Sequence, residues 1–92
     1  MTSYFRPEWT CGRYNSRHRV ALMYNLLEGV AHFFDDLSAD VVSIILNTPI
    51  NEDIDYEKLL EVAGLSDEEV TCFMEQLLNV GLITTFIPGK RI

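Results

Sequence analysis

Hydrophobic and polar positions alternate along the first third of the chain, as is typical of β-strands. In residues 19–25, Val20 and Met23 fall on opposite faces of an extended segment. Residues 8–14 and 30–34 are rich in aromatic and β-branched side chains, and turn-forming residues separate the three segments. The pattern predicts a three-stranded antiparallel β-meander.

A helix over residues 20–34 is the alternative interpretation. Leu22, Leu26 and Val30 also recur at the spacing of one helical face. The glycine at position 29 favours the strands, because Gly29 can take the positive φ that a turn between two strands requires.

The remaining two-thirds of the chain has helical spacing with clear boundaries. Ser38 is the predicted N-cap of a first helix over residues 39–46, and Pro49 ends it. Asp55 is predicted to cap a second helix over residues 56–63.

A third helix has the most complete signature. Ser66 and Glu69 have the spacing of a capping box, and Gly81 is placed to end the helix.

The short turn through Gly64 resembles a helix-turn-helix connection between the second and third helices. The predicted class is therefore α+β: a small winged-helix-like domain, with a three-stranded antiparallel β-meander followed by three helices. The apolar stripe of the third helix consists of Val70, Phe73, Met74, Leu77 and Leu78.

The length of 92 residues predicts a single domain over residues 1–92, with an ordered core over about 9–87 and a loose tail at 88–92. Apolar runs are far shorter than the ~20 residues of a membrane-spanning helix. No secretory signal is evident at the N-terminus. Two cysteines are too few for a disulfide framework. A cytoplasmic domain without membrane contact is expected.

The net charge of −7 is unevenly distributed. Residues 20–87 contain thirteen acidic side chains and one basic side chain, Lys58, whereas the N-terminal 19 residues are basic. Nucleic-acid binding depends on cations that neutralise phosphates, and the third helix has no Lys or Arg. No nucleic-acid partner is therefore expected.

Residue patterns that support catalysis are absent from the sequence. Cys11 and Cys72 are far apart, His18 and His32 are isolated, and no phosphate-binding or nucleophile motif occurs. The sequence thus predicts neither an enzyme nor a bound cofactor or metal. We expect His32 to be half-buried and hydrogen-bonded, and Cys72 to fill space in the core.

A peptide-binding surface is the functional hypothesis that the residues leave open. If residues 30–34 form an edge strand, their outer N–H and C=O groups could pair with an extended peptide. Phe73, Met74 and Leu77 of the third helix would supply an apolar floor. Two alternatives stay open: these side chains fill the core, or the edge strand pairs with a second copy to form a homodimer.

Four segments together resemble the PqqD-like domains, the recognition elements for precursors of ribosomally synthesised and post-translationally modified peptides (RiPPs). The segments are residues 20–25 and 29–34, the helix start at residues 38–46, and the closing helix with its Gly-Leu-Ile ending at residues 73–83. The resemblance spans about residues 9–85 and depends mainly on the order of these elements.

The resemblance implies a non-catalytic module that binds the leader of a precursor peptide by β-strand addition. The module would present the peptide to a modifying enzyme, often a radical SAM protein, in natural product biosynthesis. Alternative functions are a winged-helix protein-interaction or DNA-binding regulator and an accessory subdomain of a larger enzyme. By position, the implied peptide-binding residues are Val30, Ala31, His32, Phe33, Phe34, Glu69, Phe73 and Gln76.

Overall fold

The computed structural model describes residues 3–86, so the predicted loose tail at 88–92 lies outside the described residues. Three antiparallel strands in the order β1-β2-β3 precede three helices, which confirms the predicted α+β class. No helix in the described part of the chain has the length and apolarity needed to cross a membrane. The elements are β1 (Thr10–Asn15), β2 (Val20–Asn25), β3 (Val30–Asp35), α1 (Asp36–Asn47), α2 (Tyr56–Ala63) and α3 (Asp67–Asn79).

The sheet is a meander with two short turns. Thr10 pairs with Asn25 across β1 and β2, and Asn25 pairs with Val30 across β2 and β3. Gly29 has a φ of 68° in the second turn, as its predicted role requires. The strands that the alternation predicts are confirmed, and the helical alternative for residues 20–34 is wrong.

The start of α1 differs from the prediction. Strand β3 runs directly into the helix at Asp36, whose φ of 51° makes the sharp change of direction. Asp35 is the N-cap residue and its side chain makes no capping hydrogen bond. Ser38, the predicted N-cap, lies inside the helix, where its hydroxyl donates to the Asp35 carbonyl at 2.6 Å. Hydroxyl bonding to a carbonyl three residues back is common inside a helix, so the serine alone did not define the boundary.

The boundaries predicted for α2 and α3 are confirmed by their caps. The Asp55 carboxylate accepts from the Lys58 amide at 3.1 Å, and Gly64 ends α2 with a φ of 63°. In α3, the Glu69 amide donates to the Ser66 hydroxyl and the Ser66 amide donates to the Glu69 carboxylate, both at 3.2 Å. These caps satisfy backbone donors and acceptors that the helix ends would otherwise leave unpaired.

One hydrophobic core joins the sheet to the helices. Helix α1 packs on the face of the sheet that carries Ala21 and Met23, and both side chains are buried. Leu59 of α2 and Met74 of α3 are buried in the same cluster. Met74 therefore stabilises the core, and it does not form the open apolar floor that the sequence suggested.

The N-terminal segment packs between two later parts of the chain, which the hydrophobic pattern did not indicate. The Phe5 amide donates to the Thr84 carbonyl at 2.7 Å, and the Ile54 amide donates to the Tyr4 carbonyl at 2.8 Å. Tyr4 is only 6% exposed. The segment therefore ties the connection before α2 to the chain that follows α3.

A small polar network ties the β1–β2 hairpin to α1. The Arg19 guanidinium donates to Asp40 Oδ2 at 2.6 Å, and the Tyr14 hydroxyl donates to Asp40 Oδ1 at 2.9 Å. The hydrogen bond from Arg19 is the main cause that lowers the pKa of Asp40, and the bond from Tyr14 acts in the same direction against the effect of burial. The carboxylate therefore stabilises the fold only while it is ionised.

Replacement of this carboxylate tests the network. We expect Asp40→Asn to lower the free energy of unfolding by about 1 kcal/mol at neutral pH, a modest loss because Arg19 is half exposed. Because the folded-state pKa lies below the unfolded-state value of about 3.9, the wild-type advantage is complete above that value and is lost as the pH falls below it. Urea unfolding between pH 2 and 7 measures the difference, with the exposed Glu61→Gln as control. A difference that stays constant down to pH 2 would contradict this assignment.

Candidate functional site

The outer edge of β3 has main-chain groups that are not paired. The Asp36 amide donates to the Arg19 carbonyl, so Arg19 and Asp36, just beyond the ends of β2 and β3, form a hydrogen-bonded pair. Hydrogen-bonded and non-hydrogen-bonded pairs alternate along an antiparallel ladder. Counting back from Asp36, the main-chain groups of Phe34 and His32 bond to β2. The N–H and C=O groups of Phe33 and Ala31 therefore point outward, away from β2. Among residues 3–86, no main-chain or side-chain group bonds to those of Ala31 and Phe33.

The outer edge of β1 is partly satisfied from within the chain. The Thr10 amide donates to the Pro7 carbonyl, and the Thr10 carbonyl accepts from the Arg6 guanidinium, both at 3.4 Å. Strand β3 has no such neighbour at Ala31 or Phe33, and Phe33 exposes 63% of its surface. Gly12 and Tyr14, the other outward residues of β1, also lack a main-chain partner among residues 3–86, so what distinguishes the edge of β3 is the cleft beside it.

A cleft of about 200 Å³ lies between β3 and α3. Its lining includes His32 and Phe34 from one face of β3 and Phe33 from the other. Only the edge of a strand borders both of its faces, so the cleft runs along the edge of β3. The rings of Phe34 and Phe73 meet edge to face with centroids 5.9 Å apart. The Cα atoms of β3 and α3 stay more than 8 Å apart throughout, so side chains and not main-chain groups meet between them. The lining residues are His32, Phe33, Phe34, Phe73, Gln76, Leu77 and Val80.

Two hydrogen bonds hold the end of α3 against the sheet. Asn25 Nδ2 donates to the Val80 carbonyl at 3.1 Å, and the Trp9 indole donates to the Gly81 carbonyl at 2.8 Å. The side-chain Oδ1 of Asn25 also accepts from the amides of Leu27 and Glu28 in the β2–β3 turn. Sequence reasoning missed Asn25; its position at the end of a strand before a turn is typical of such bonding, but nothing local indicated its helix partner.

The structure brings five of the eight predicted peptide-binding residues together. These five line the cleft, and Val30 and Ala31 continue the same exposed strand. Glu69 does not line the cleft, because it lies in the first turn of α3 and bonds to Ser66. Sequence reasoning missed Val80, which follows the helix. The five cleft residues are His32, Phe33, Phe34, Phe73 and Gln76.

Two expectations about single side chains are wrong. His32 is half-buried, as expected, but its Nε2 has no hydrogen-bond partner among the described residues, although a hydrogen-bonded imidazole was expected. Its strand neighbours on the same face of the sheet are apolar, so none of them can serve as that partner. Cys72 is exposed on α3 and does not fill the core.

The surroundings of α3 are electronegative. Burial is the main cause that raises the pKa of Tyr4, and the negative charges of Glu75 and Asp67 add to it. Glu68 and Glu75 are exposed on α3, and the helix has no basic residue. In residues 3–86, no group of three or more His, Cys, Asp or Glu side chains is arranged to hold a metal ion.

A larger depression of about 440 Å³ lies on the solvent side of the sheet. Strand residues and the β1–β2 turn form all of its lining, including Arg13, Leu22 and Phe33. No helix residue lines it, so the sheet and its first turn are the only walls of this depression. The β3–α3 cleft combines two walls with unpaired main-chain groups, so we take the cleft and the edge of β3 as the candidate site.

Comparison of the chain with protein-family models, with curated proteins and with solved structures finds no match. Functional inference therefore depends on the geometry of the cleft and of the β3 edge.

The double role of Asn25 can be tested against a natural control. Asn15 Oδ1 accepts from the Arg17 and His18 amides in the β1–β2 turn, but Asn15 is exposed and its side chain makes no hydrogen bond to a helix end among residues 3–86. We expect Asn25→Ala to lower the free energy of unfolding by about 2–4 kcal/mol, because buried groups lose their partners, and Asn15→Ala by about 1 kcal/mol or less. Urea unfolding at neutral pH measures both. Equal losses would show that the bond to the Val80 carbonyl contributes nothing.

Proposed function

We propose that this chain is a non-catalytic recognition module that binds the leader segment of a precursor peptide by β-strand addition to β3. The module presents the bound peptide to a separate or fused modifying enzyme in the cytoplasm. The observation that carries the proposal is the row of unpaired N–H and C=O groups at Ala31 and Phe33, next to a cleft walled by α3.

The main-chain groups supply sequence-independent affinity. A strand added to β3 pairs with the N–H and C=O groups of both Ala31 and Phe33, and each such hydrogen bond contributes a net stabilisation of about 0.5–1.5 kcal/mol. Burial of two or three apolar peptide side chains adds to this. Together these terms support a dissociation constant in the micromolar range or below, about −8 kcal/mol or better.

The pleat of the sheet determines which peptide side chains enter the cleft. Peptide residues directly opposite His32 and Phe34 lie on the helix side of the sheet, where Phe73 and Leu77 form the wall. Peptide residues opposite Ala31 and Phe33 face solvent. The bound segment therefore has apolar anchors at alternate positions, and the positions between them tolerate polar side chains.

Charge favours a peptide with Lys or Arg. The negative surface of α3, with Glu68 and Glu75 exposed, attracts cations and repels an acidic segment. The same surface argues against a winged-helix regulator that would place α3 on DNA phosphates. The resemblance of residues 20–46 and 73–83 to the PqqD-like domains supports a RiPP leader as the partner and a radical SAM protein as the class of modifying enzyme.

A proline substitution at the edge strand tests strand addition. The Ala31 N–H points away from β2, so Ala31→Pro removes an outward donor without breaking a bond within the sheet. Ala31→Val keeps the donor and is the matched control. Fluorescein-labelled 12-residue peptides that tile the small open reading frames beside the gene are the probes. We expect at least one to bind wild type and the Val variant alike, and the Pro variant about tenfold or more weakly.

Amide spectra of the ¹⁵N-labelled chain locate the bound peptide. Bound peptide should shift the Ala31 and Phe33 amides most strongly, and both variants should retain the wild-type fold. Absence of binding by any tiled peptide, or binding that Ala31→Pro leaves unchanged, would contradict the proposed function.

A further inference from the structure

The outer face of the sheet, which points away from the helices, carries exposed apolar side chains. Leu22 and Tyr24 of β2 alternate with Ala21 and Met23, which are buried on the helix side, so the first two lie on the outer face. Phe33 of β3 extends this apolar surface and is largely exposed. The depression of about 440 Å³ opens on the same face. Contiguous exposed apolar side chains of this kind are typical of an interaction surface.

Two opposite charges lie at opposite edges of the outer face. Arg13 of β1 pairs in register with Leu22, and Leu22 pairs with Phe33, so these three residues form one row across the sheet. Asp35 follows Phe33 by two residues and therefore shares its face. Arg13 and Asp35 are both exposed, and neither side chain has a hydrogen-bond or ion-pair partner among residues 3–86. Strand β2 lies between them.

We infer that the outer face of the sheet binds a second copy of this chain, so that two sheets pack face to face in a two-fold symmetric dimer. The inference goes beyond peptide binding and does not depend on it. The dimer uses side chains of the outer face, whereas strand addition uses main-chain groups at the edge of β3.

The register of the strands selects one orientation of the two copies. A two-fold interface has to be self-complementary, because each contact occurs twice. A two-fold axis parallel to the strands places β1 of one copy over β3 of the other and leaves β2 over β2. Arg13 of each copy then lies over Phe33 of the other, and Leu22 lies over Leu22 at the axis. An axis across the strands would instead set Arg13 against Arg13, and like charges repel.

Charge complementarity identifies the second copy as the occupant. In the orientation along the strands, Asp35 of one copy lies diagonal to Arg13 of the other, within reach of that long side chain. The Arg13 guanidinium also lies over the Phe33 ring, which gives a cation–π contact. The β1–β2 turn, where Arg17 and His18 are exposed, lies at the same end of the sheet as Asp35 and adds to the attraction. Both unpaired charges thus gain partners.

The size of the outer face predicts a weak dimer. Three strands of six residues span about 15 Å by about 20 Å at the usual strand spacing and rise. A face of this size buries no more than the ~1,200 Å² in total at which stable interfaces begin, so we expect a dissociation constant of about 10–100 µM. The acidic α3 helices stay apart in this dimer, because Phe73 of α3 meets the sheet at Phe34 on the inner face.

Sedimentation velocity of the full chain tests the dimer. Between about 1 and about 500 µM, the wild-type chain should change from mainly monomer to mainly dimer by mass action. Leu22→Glu sets two carboxylates against each other at the two-fold axis and should raise the dissociation constant about tenfold or more. Val62→Glu makes the same change of charge at an exposed apolar residue of α2 and should leave the dissociation constant unchanged.

Exchange of the two charges tests the orientation. Arg13→Asp and Asp35→Arg each place like charges together when the variant meets itself, so each variant alone should associate about tenfold or more weakly than wild type. An equal mixture of the two variants restores an opposite pair at both ends of the interface and should form a heterodimer about as readily as wild type forms the homodimer. Asp35 makes no side-chain capping bond, so its replacement leaves the start of α1 intact, and amide spectra check the fold of each variant.

The wild-type measurement is decisive without any variant. A chain that stays monomeric at about 500 µM would overturn the dimer. A dimer that survives Leu22→Glu, or charge variants that fail to associate when mixed, would overturn the assigned face and orientation. A dimer that Ala31→Pro abolishes and Leu22→Glu leaves intact would lie at the edge of β3 and would equally contradict the inference.

Discussion

The side chain of Asn25 connects the parts of the molecule on which the candidate site depends. It is 2% exposed, and its amide group bonds at the same time to the β2–β3 turn and to the Val80 carbonyl at the end of α3. The turn determines the register of β3, and the helix end determines where the second wall of the cleft lies. One buried amide therefore holds the edge strand and the helix at a fixed separation. Because Asn25 is buried, loss of these bonds would leave polar groups unpaired inside the protein.

The unpaired edge of β3 is the feature that most needs a functional explanation. Exposed strand edges promote aggregation, and proteins commonly cover them with a helix or loop or place charges on them. Here α3 lies beside the edge without covering Ala31 or Phe33, and Phe33 is largely exposed. Strand addition explains the open edge and the adjacent apolar cleft together. The acidic surface of α3 disfavours self-association of this region and favours a cationic segment.

Local signals in the sequence predicted most of the fold. The alternation in residues 19–25, the glycine at position 29 and the capping box at Ser66 depend on neighbours a few residues away, and each is confirmed. The packing of Tyr4 against the chain near Ile54 and the bond from Asn25 to Val80 join residues far apart in sequence, so no local pattern could indicate them. Ser38 was wrongly predicted as the N-cap of α1, because a serine hydroxyl can hydrogen-bond to nearby main-chain groups both at a cap and inside a helix. The cleft was predicted in outline, because an edge strand and an amphipathic helix were both recognisable, but the unpaired state of His32 depends on tertiary packing.

Amide hydrogen exchange along β3 tests most directly whether its outer edge is free to accept a strand. In the chain alone, we expect the His32 and Phe34 amides to exchange slowly, because they bond to β2, and the Ala31 and Phe33 amides to exchange quickly. Addition of a binding leader peptide should slow exchange at Ala31 and Phe33 and change His32 and Phe34 much less. Protection of all four amides in the chain alone would show that the edge is already covered, by the chain itself or by a second copy, and would contradict the account.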